Sequence, residues 1–444
     1  MTTMRALRAA VVGSTAVALL ISGFSAAHAD QQLPADQLPP ALVEAIGRDL
    51  KITPAEYLRR AAKAQELASY ARDFRSARPH SFAGAWLGID GKPVIAVTSA
   101  DAARIATRDG YETRIAPVSA DGLEQSLAEL NRWIARLPRE VSQQVNGTSI
   151  DFLDNKIVID IVNSPAGRFL NLPTLLAQIK VIVSPGGGGP IDNKPMGGDT
   201  YITSAKSLAD SRLTEIGVCS FGFNGVDGAG QAYNISAGHC DPNHVDGGVN
   251  TKSAAVYVPD PANLDASPQV GDFQHSTLGV ATDGLDYALI KLNARAVKAG
   301  MDRPIVRGAN GTTLTITGTA APVTGAPVCK TGQSSTFTCG IVAADRVETQ
   351  LYTEDGRSRV VRGFASTACT LAGDSGGAIV TGTLALGITS GSNSSDAPNC
   401  QDANIALAPD GGTASLGIPI RDIVDHIQKS AGSGPGAGIR VRTS

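Results

Sequence analysis

The run Ser184-Pro185-Gly186-Gly187-Gly188-Gly189-Pro190 cannot be a helix or a strand, because prolines bracket four consecutive glycines. It therefore divides the chain into two regions of different character. All six cysteines (Cys219, Cys240, Cys329, Cys339, Cys369 and Cys400) lie after it. Before it, residues 42–75 read as helix, with Thr53-Pro54-Ala55-Glu56 supplying an N-cap and a first-turn proline. Two short strands follow, over 81–87 and 93–97, then an amphipathic helix over 122–137 and a hairpin formed by 150–153 and 156–161 about Asp154-Asn155. This is an α+β pattern. After the break, short strands with Gly and Pro between them dominate (288–292, 312–317, 359–364, 378–380, 384–390), which argues for a β-sandwich or barrels. A single helix over 420–429 breaks that rhythm, with Ile420, Ile423, Val424 and Ile427 on one face.

The first residues have the form of a secretory signal. Arg5 and Arg8 precede an apolar, small-residue run from Ala9 to about Gly23, and Ala27-His28-Ala29 gives the A-x-A cleavage pattern, with the cut expected after Ala29. The run is short for a membrane anchor, so a secreted, extracellular product with no membrane partner is expected. Six cysteines fit that oxidising compartment. They allow 15 pairings, which spacing alone does not resolve. Sequential pairing would close short loops worth about 2–4 kcal/mol each. Their spacings are unlike zinc-ligand pairs, and no metal or other cofactor is expected. A net charge of -3 over 444 residues gives no electrostatic reason to expect nucleic acid as a partner.

Gly373-Asp374-Ser375-Gly376-Gly377 sets a serine hydroxyl among residues suited to a nucleophile. Such a hydroxyl needs a base to take its proton and N–H donors to receive the oxyanion. Gly373 can turn its N–H toward the same point as that of Ser375. Of the histidines, His239 is the candidate base, held rigidly in Ser236-Ala237-Gly238-His239-Cys240. Asp286, at the mouth of the apolar run 287–292, is the candidate orienting acid, with Asp283 in reserve.

On these segments the chain resembles the chymotrypsin-like secreted bacterial serine proteases of the streptogrisin and α-lytic protease type. The likeness rests on Ser236-Ala237-Gly238-His239-Cys240, Asp286-Tyr287-Ala288, Gly373-Asp374-Ser375-Gly376-Gly377 and the six cysteines. Upstream, Phe82-Ala83-Gly84-Ala85-Trp86-Leu87 and Val94-Ile95-Ala96-Val97-Thr98 are similar to that family's pro-region, and Gly197-Gly198-Asp199 to its mature N-terminus. The resemblance implies a mostly β fold of two antiparallel six-stranded barrels with a C-terminal helix, preceded by an α+β pro-region. It implies sequential disulfide pairing. It also implies acyl transfer by Ser375 and His239 with Asp286, the N–H groups of Gly373 and Ser375 forming the oxyanion hole. The domains expected are a signal over 1–29, a pro-region over 30–195 that assists folding and is removed by a cut between about 189 and 198, a protease domain over 196–430, and a mobile tail over 431–444. Partners are then a peptide or protein substrate and the chain's own pro-region, and the enzyme is expected to be a monomer.

Asp374, beside that hole, should be paired. Lys330, directly after Cys329, resembles the position of an internal arginine in the bacterial group and is expected to pair with it, without arginine's two-pronged contact. Ser390-Gly391-Ser392 matches the segment that binds substrate as a strand, with Leu371 and Ala372 near the opposite wall of the specificity pocket. No aspartate precedes Ser375 where trypsin-like relatives place one, so small or medium apolar residues are expected before the scissile bond. Three alternatives compete. Gly373-x-Ser375-x-Gly377 fits an esterase elbow with His426 as base and Asp396 or Asp402 as acid, but no βαβ pattern precedes it. A secreted binding module that has lost catalysis and a metal site on His239, Cys240 and His244 are the other two.

Overall fold

The computed structural model describes residues 32–444 apart from 143, 163, 165–169, 171, 174, 176, 185–199, 209, 211–215, 246–248, 251, 280–283, 308–311, 353–357, 395–396 and 408–411. The expected signal, the glycine break, Gly197-Gly198-Asp199, Asp283 and Asp396 lie outside the described residues.

The N-terminal elements follow local chemistry closely. Helix Pro54–Ala77 starts where Thr53 Oγ1 accepts from the Glu56 N–H at 3.1 Å, with Pro54 in the first turn. It buries Tyr57, Ala61, Ala64, Leu67, Ala71 and Phe74 on one face. Ahead of it, Pro40–Ala45 runs into one wide turn, Ile46–Leu50, and Lys51 adopts a positive φ of 57° that separates the two helical pieces. Phe82–Leu87 and Pro93–Val97 pair antiparallel, and Ala120–Ile134 forms the second long helix. Val145–Asp151 and Lys156–Val162 make the expected hairpin, with Asn155 left-handed at φ 54° in its turn.

The β-rich part forms two sheets. One closes: Pro327–Lys330, Ala378–Thr381, Leu384–Ser392, Ser415–Pro419, Ser358–Ser366 and Thr338–Tyr352 lie in that order, and Thr338–Tyr352 pairs back with Pro327–Lys330 to complete a six-stranded barrel. The other sheet stays open. Its order is Arg440–Val441, Phe223–Val226, Ala232–Ser236, Leu285–Leu292, Gln269–Gly279, Ala255–Tyr257, Thr200–Ser204 and Gly217–Ser220. The expectation of two six-stranded barrels is thus corrected for this half. Two competing bonds explain it. The edge of Phe223–Val226 is taken by the C-terminal strand Arg440–Val441, and the Ser220 N–H donates at 2.8 Å to the Ser375 carbonyl instead of to a sheet neighbour.

Within 431–444, Ile439 is fully buried, Val441 nearly so, and the Arg442 N–H donates to the Asn224 carbonyl at 2.8 Å. The helix Ile420–Ser430 buries Ile420, Ile423 and Ile427, as its spacing predicts.

The two regions share their cores. Leu42, Ile46 and Tyr57 pack with Phe337, Val361 and Ile418, while Leu67 and Phe74 pack in a cluster with Val328, Val342 and Phe364. Thr338–Tyr352 also pairs, through Val347, Glu348 and Thr349, with Ser149, Thr148 and Gly147, so one strand belongs both to the barrel and to the N-terminal sheet. A cavity of about 940 Å³ remains at this junction, lined among others by Arg75, Glu124, Asp345, Arg362 and His426.

Candidate active site

His239 lies in a single helical turn, Gly238–Cys240, that follows the strand Ala232–Ser236. The turn packs so tightly that a Cβ on Gly238 would lie 2.0 Å from the Thr277 carbonyl oxygen and 2.8 Å from that of Tyr287, so only glycine fits. The disulfide Cys219–Cys240 fixes its other end. Cys329–Cys339 and Cys369–Cys400 are also joined, which is the sequential pairing.

Asp286 holds the histidine twice. Its Oδ2 lies 2.7 Å from His239 Nδ1, and its Oδ1 accepts from the His239 N–H at 2.9 Å. Both side chains are almost wholly buried, at 1% and 0% exposure. Ser390 Oγ donates to the same Oδ2 at 2.6 Å. Burial alone would push the Asp286 carboxyl up, but the His239 charge and the hydrogen bonds from His239 and Ser390 bring it below its ordinary value. An ionised carboxylate only accepts, so Nδ1 carries a hydrogen, and in the neutral ring Nε2 then presents a lone pair.

The loop bearing Ser375 packs directly on the histidine's strand. Gly376 has φ +81°, and a Cβ there would meet Ser236 Oγ at 2.1 Å and the Ala237 nitrogen at 3.1 Å, so the two segments touch backbone to backbone. Ser375 itself is half-buried. Within the loop the Asp374, Gly376 and Gly377 N–H groups donate to the carbonyls of Leu371, Thr389 and Asp374. Among the described residues no backbone partner takes the N–H of Gly373 or Ser375.

Asp374 and Lys330 are brought together, with Oδ2 accepting from Nζ at 2.6 Å. The carboxylate also accepts from the N–H groups of Leu371 (2.9 Å), Ser334 (2.9 Å) and Ser335 (3.1 Å) and from Ser335 Oγ (2.6 Å). Burial pulls the Lys330 ammonium below its usual value, and the Asp374 charge and hydrogen bond oppose that. Sequence reasoning missed Ser334 and Ser335.

Of the other expected contacts, Ser392 Oγ donates to the Thr370 carbonyl at 2.8 Å, tying the two segments assigned to the specificity pocket. Leu371 is buried in a small cluster with Cys369 and Ala403, while Ala372 stays half-buried beside the loop. His426 Nδ1 lies 2.8 Å from the Tyr287 hydroxyl, and the Asp402 N–H is bound at a helix start by Asn399 Oδ1. His244 Nδ1 contacts the Asp241 carbonyl. Cys219, His239 and Cys240 lie close enough to suggest a metal, but the two sulfurs are bonded to each other and cannot act as thiolate ligands. Among the described residues no helix is long and apolar enough to cross a membrane.

Comparison with known proteins bears directly on this geometry. The family described as Trypsin matches residues 229–408, a span that contains His239, Asp286 and Ser375. Serine protease 2 of Streptomyces fradiae is 30% identical over 176 residues, covering 39% of this chain and 87% of that protein. The chain belongs to the trypsin family of serine proteases. Streptogrisin-C of Streptomyces griseus is 28% identical over 404 residues, 88% of this chain and 79% of its own length. Protease A of Thermobifida fusca, a solved structure, is 24% identical and covers 56% of this chain and 98% of that one, with a TM-score of 0.36. As a trypsin-family member of streptogrisin type, the protein is a hydrolase, a serine-type endopeptidase.

Proposed function

We propose that the protein is a secreted endopeptidase that cleaves peptide bonds through an acyl-enzyme on Ser375. His239 Nε2 takes the Ser375 proton as the hydroxyl attacks the scissile carbonyl, Asp286 holds the ring and stabilises its charge, and the N–H groups of Gly373 and Ser375 receive the oxyanion. His239 then protonates the leaving amine, and water attacks the acyl-enzyme by the same route. The observation that carries this reading is the double clasp of Asp286 on buried His239 beside the loop that presents Ser375. Ser390-Gly391-Ser392 would pair with the substrate, and the Ser392 tie to Thr370 joins the two segments that would wall a pocket for small or medium apolar side chains before the scissile bond.

In this reading residues 1–29 direct secretion, 30–195 are a folding assistant and inhibitor removed on maturation, and the protease domain begins near 196. The shared cores and the strand pairing at Val347–Thr349 support an N-terminal region shaped to the barrel. A fold rich in non-local pairings is slow to form, which gives such an assistant a physical purpose.

The test is to replace Ser375, His239 and His426 by alanine separately and to assay peptide hydrolysis. The first two variants should be inactive and His426→Ala active; an inactive His426→Ala with an active His239→Ala would favour the esterase order. Expressing residues from 196 onward with and without 30–195 tests the assistant: efficient folding to active enzyme without it would reject that role.

A further inference from the structure

A free N–H group is useful to an oxyanion only if its peptide plane is held. Each carbonyl of the loop from Ala372 to Ser375 has one holder. The Ala372 carbonyl accepts from Ser334 Oγ at 2.5 Å, and that of Gly373 from Ser220 Oγ at 2.8 Å. The carbonyl of Asp374 accepts from the Gly377 N–H at 2.9 Å, and that of Ser375 from the Ser220 N–H at 2.8 Å. The described peptide bonds are all trans, so the C=O and N–H of one peptide point opposite ways. Fixing the Ala372 carbonyl on the Ser334 side therefore turns the Gly373 N–H to the other side. Fixing the Asp374 carbonyl does the same for the Ser375 N–H.

Two of the four holders are side-chain hydroxyls, and they are themselves anchored. The Ser334 N–H donates to Asp374 Oδ1 at 2.9 Å. Ser220 Oγ also accepts from the Gln333 N–H at 3.0 Å, and Gln333 Oε1 accepts from Thr200 Oγ1 at 2.5 Å. Gln333 fills the space behind Gly373, where a Cβ would lie 1.9 Å from its Nε2. The loop is thus braced from Gly332–Ser335 on one side and from Ser220 on the other.

We propose that Ser334 and Ser220 are positioning residues of the endopeptidase reaction: their hydroxyls hold the 372–373 and 373–374 peptides so that the Gly373 N–H faces the developing oxyanion. Ser334 acts on the donating peptide itself and Ser220 on the next one. This inference rests on the assignment of Ser375 as nucleophile.

The test compares Ser334→Ala and Ser334→Thr with the parent enzyme. Removing an oxyanion donor outright costs about 100- to 1,000-fold in kcat, so loosening one should cost about 10- to 100-fold. Ser334→Ala should lose that factor in kcat with KM nearly unchanged. It should bind a peptide boronate, which mimics the tetrahedral intermediate, weaker by a similar factor, and a product peptide as before. Ser334→Thr, which keeps the hydroxyl, should restore kcat. A merely structural serine would lower the melting temperature and leave the boronate-to-product affinity ratio alone. An unchanged ratio, or unchanged kcat in Ser334→Ala, would overturn the inference. Ser220 is buried beside Cys219, so Ser220→Ala is secondary and is read only on folded protein, with the same ratio. Ser375→Ala run in parallel separates the two failures. Full activity there rejects the nucleophile, whereas an inactive Ser375→Ala with a fully active Ser334→Ala rejects only the positioning role.

Discussion

Lys330 and Asp374 meet 2.6 Å apart with side chains 1% and 0% exposed, and Asp374 is the residue just before Ser375 in its loop. A buried pair of this kind contributes little against a hydrophobic replacement of both partners, but removing one partner strands the other charge. Lys330→Met should therefore destabilise the protein by about 3–5 kcal/mol. Four hydrogen bonds to Asp374 survive the change, which argues for the lower end. Urea unfolding in a Ser375→Ala background, which removes the proposed nucleophile, measures it; a midpoint equal to the parent's would show that the pair does not matter.

Asp286→Asn should keep the ring in place and still lose about 10,000-fold in kcat, because an amide can donate and so favours the wrong imidazole tautomer. The same change has a pH signature. The Asp286 carboxyl is held below the ordinary 3.8, so the stability it gives is complete above that value and is lost as pH falls through its lower folded value. Acid unfolding of the asparagine variant should lack this component below pH 3.8, as a circular dichroism titration would report.

Asp345 should act in the opposite sense. One of its carboxylate oxygens is buried with no hydrogen-bond partner among the described residues. Burial pushes this carboxyl up to about 6, Arg346 opposing and the Glu124 charge adding to the rise. The folded state then holds a proton that the unfolded chain has released, so its contribution falls as pH rises from 3.8 to about 6. Asp345→Asn should be more stable than the parent above pH 6 and nearly equal to it below 3.8. Denaturant midpoints at the two ends check the sign.

Ile439→Ala should cost about 2–5 kcal/mol, the range for emptying a buried aliphatic site. A loose tail would give a value near zero in the same unfolding measurement. The residue is wholly buried, packs in the core cluster shared by both sheets, and precedes the strand Arg440–Val441.

Much of this was legible in residue order. Gly238 and His239 sit in a turn that only glycine permits, and the charge on Asp374 demanded a partner that Lys330 supplies. Thr53 and Pro54 marked their helix start because capping is local. What stayed hidden depends on long-range contact. The Ser220 and Ser334 hydroxyls bind backbone carbonyls, which carry no side-chain identity, so nothing in the order of residues pairs them with Gly373 and Ala372. The tail did carry a signal, since Ile439, Arg440, Val441 and Arg442 alternate apolar and charged as a strand does. Neighbouring glycines and serines concealed it. In the open sheet that same tail takes the edge of Phe223–Val226.

The strand Thr338–Tyr352 serves two masters, one edge in the barrel and a stretch of the other against Gly147, Thr148 and Ser149. Any event that carries the N-terminal region away uncovers the hydrogen-bonding groups of Val347, Glu348 and Thr349. Bare strand edges invite a second chain to pair with them. Arg346, Glu348 and Arg362 set charges along this stretch, and charged side chains on a strand edge oppose pairing between copies.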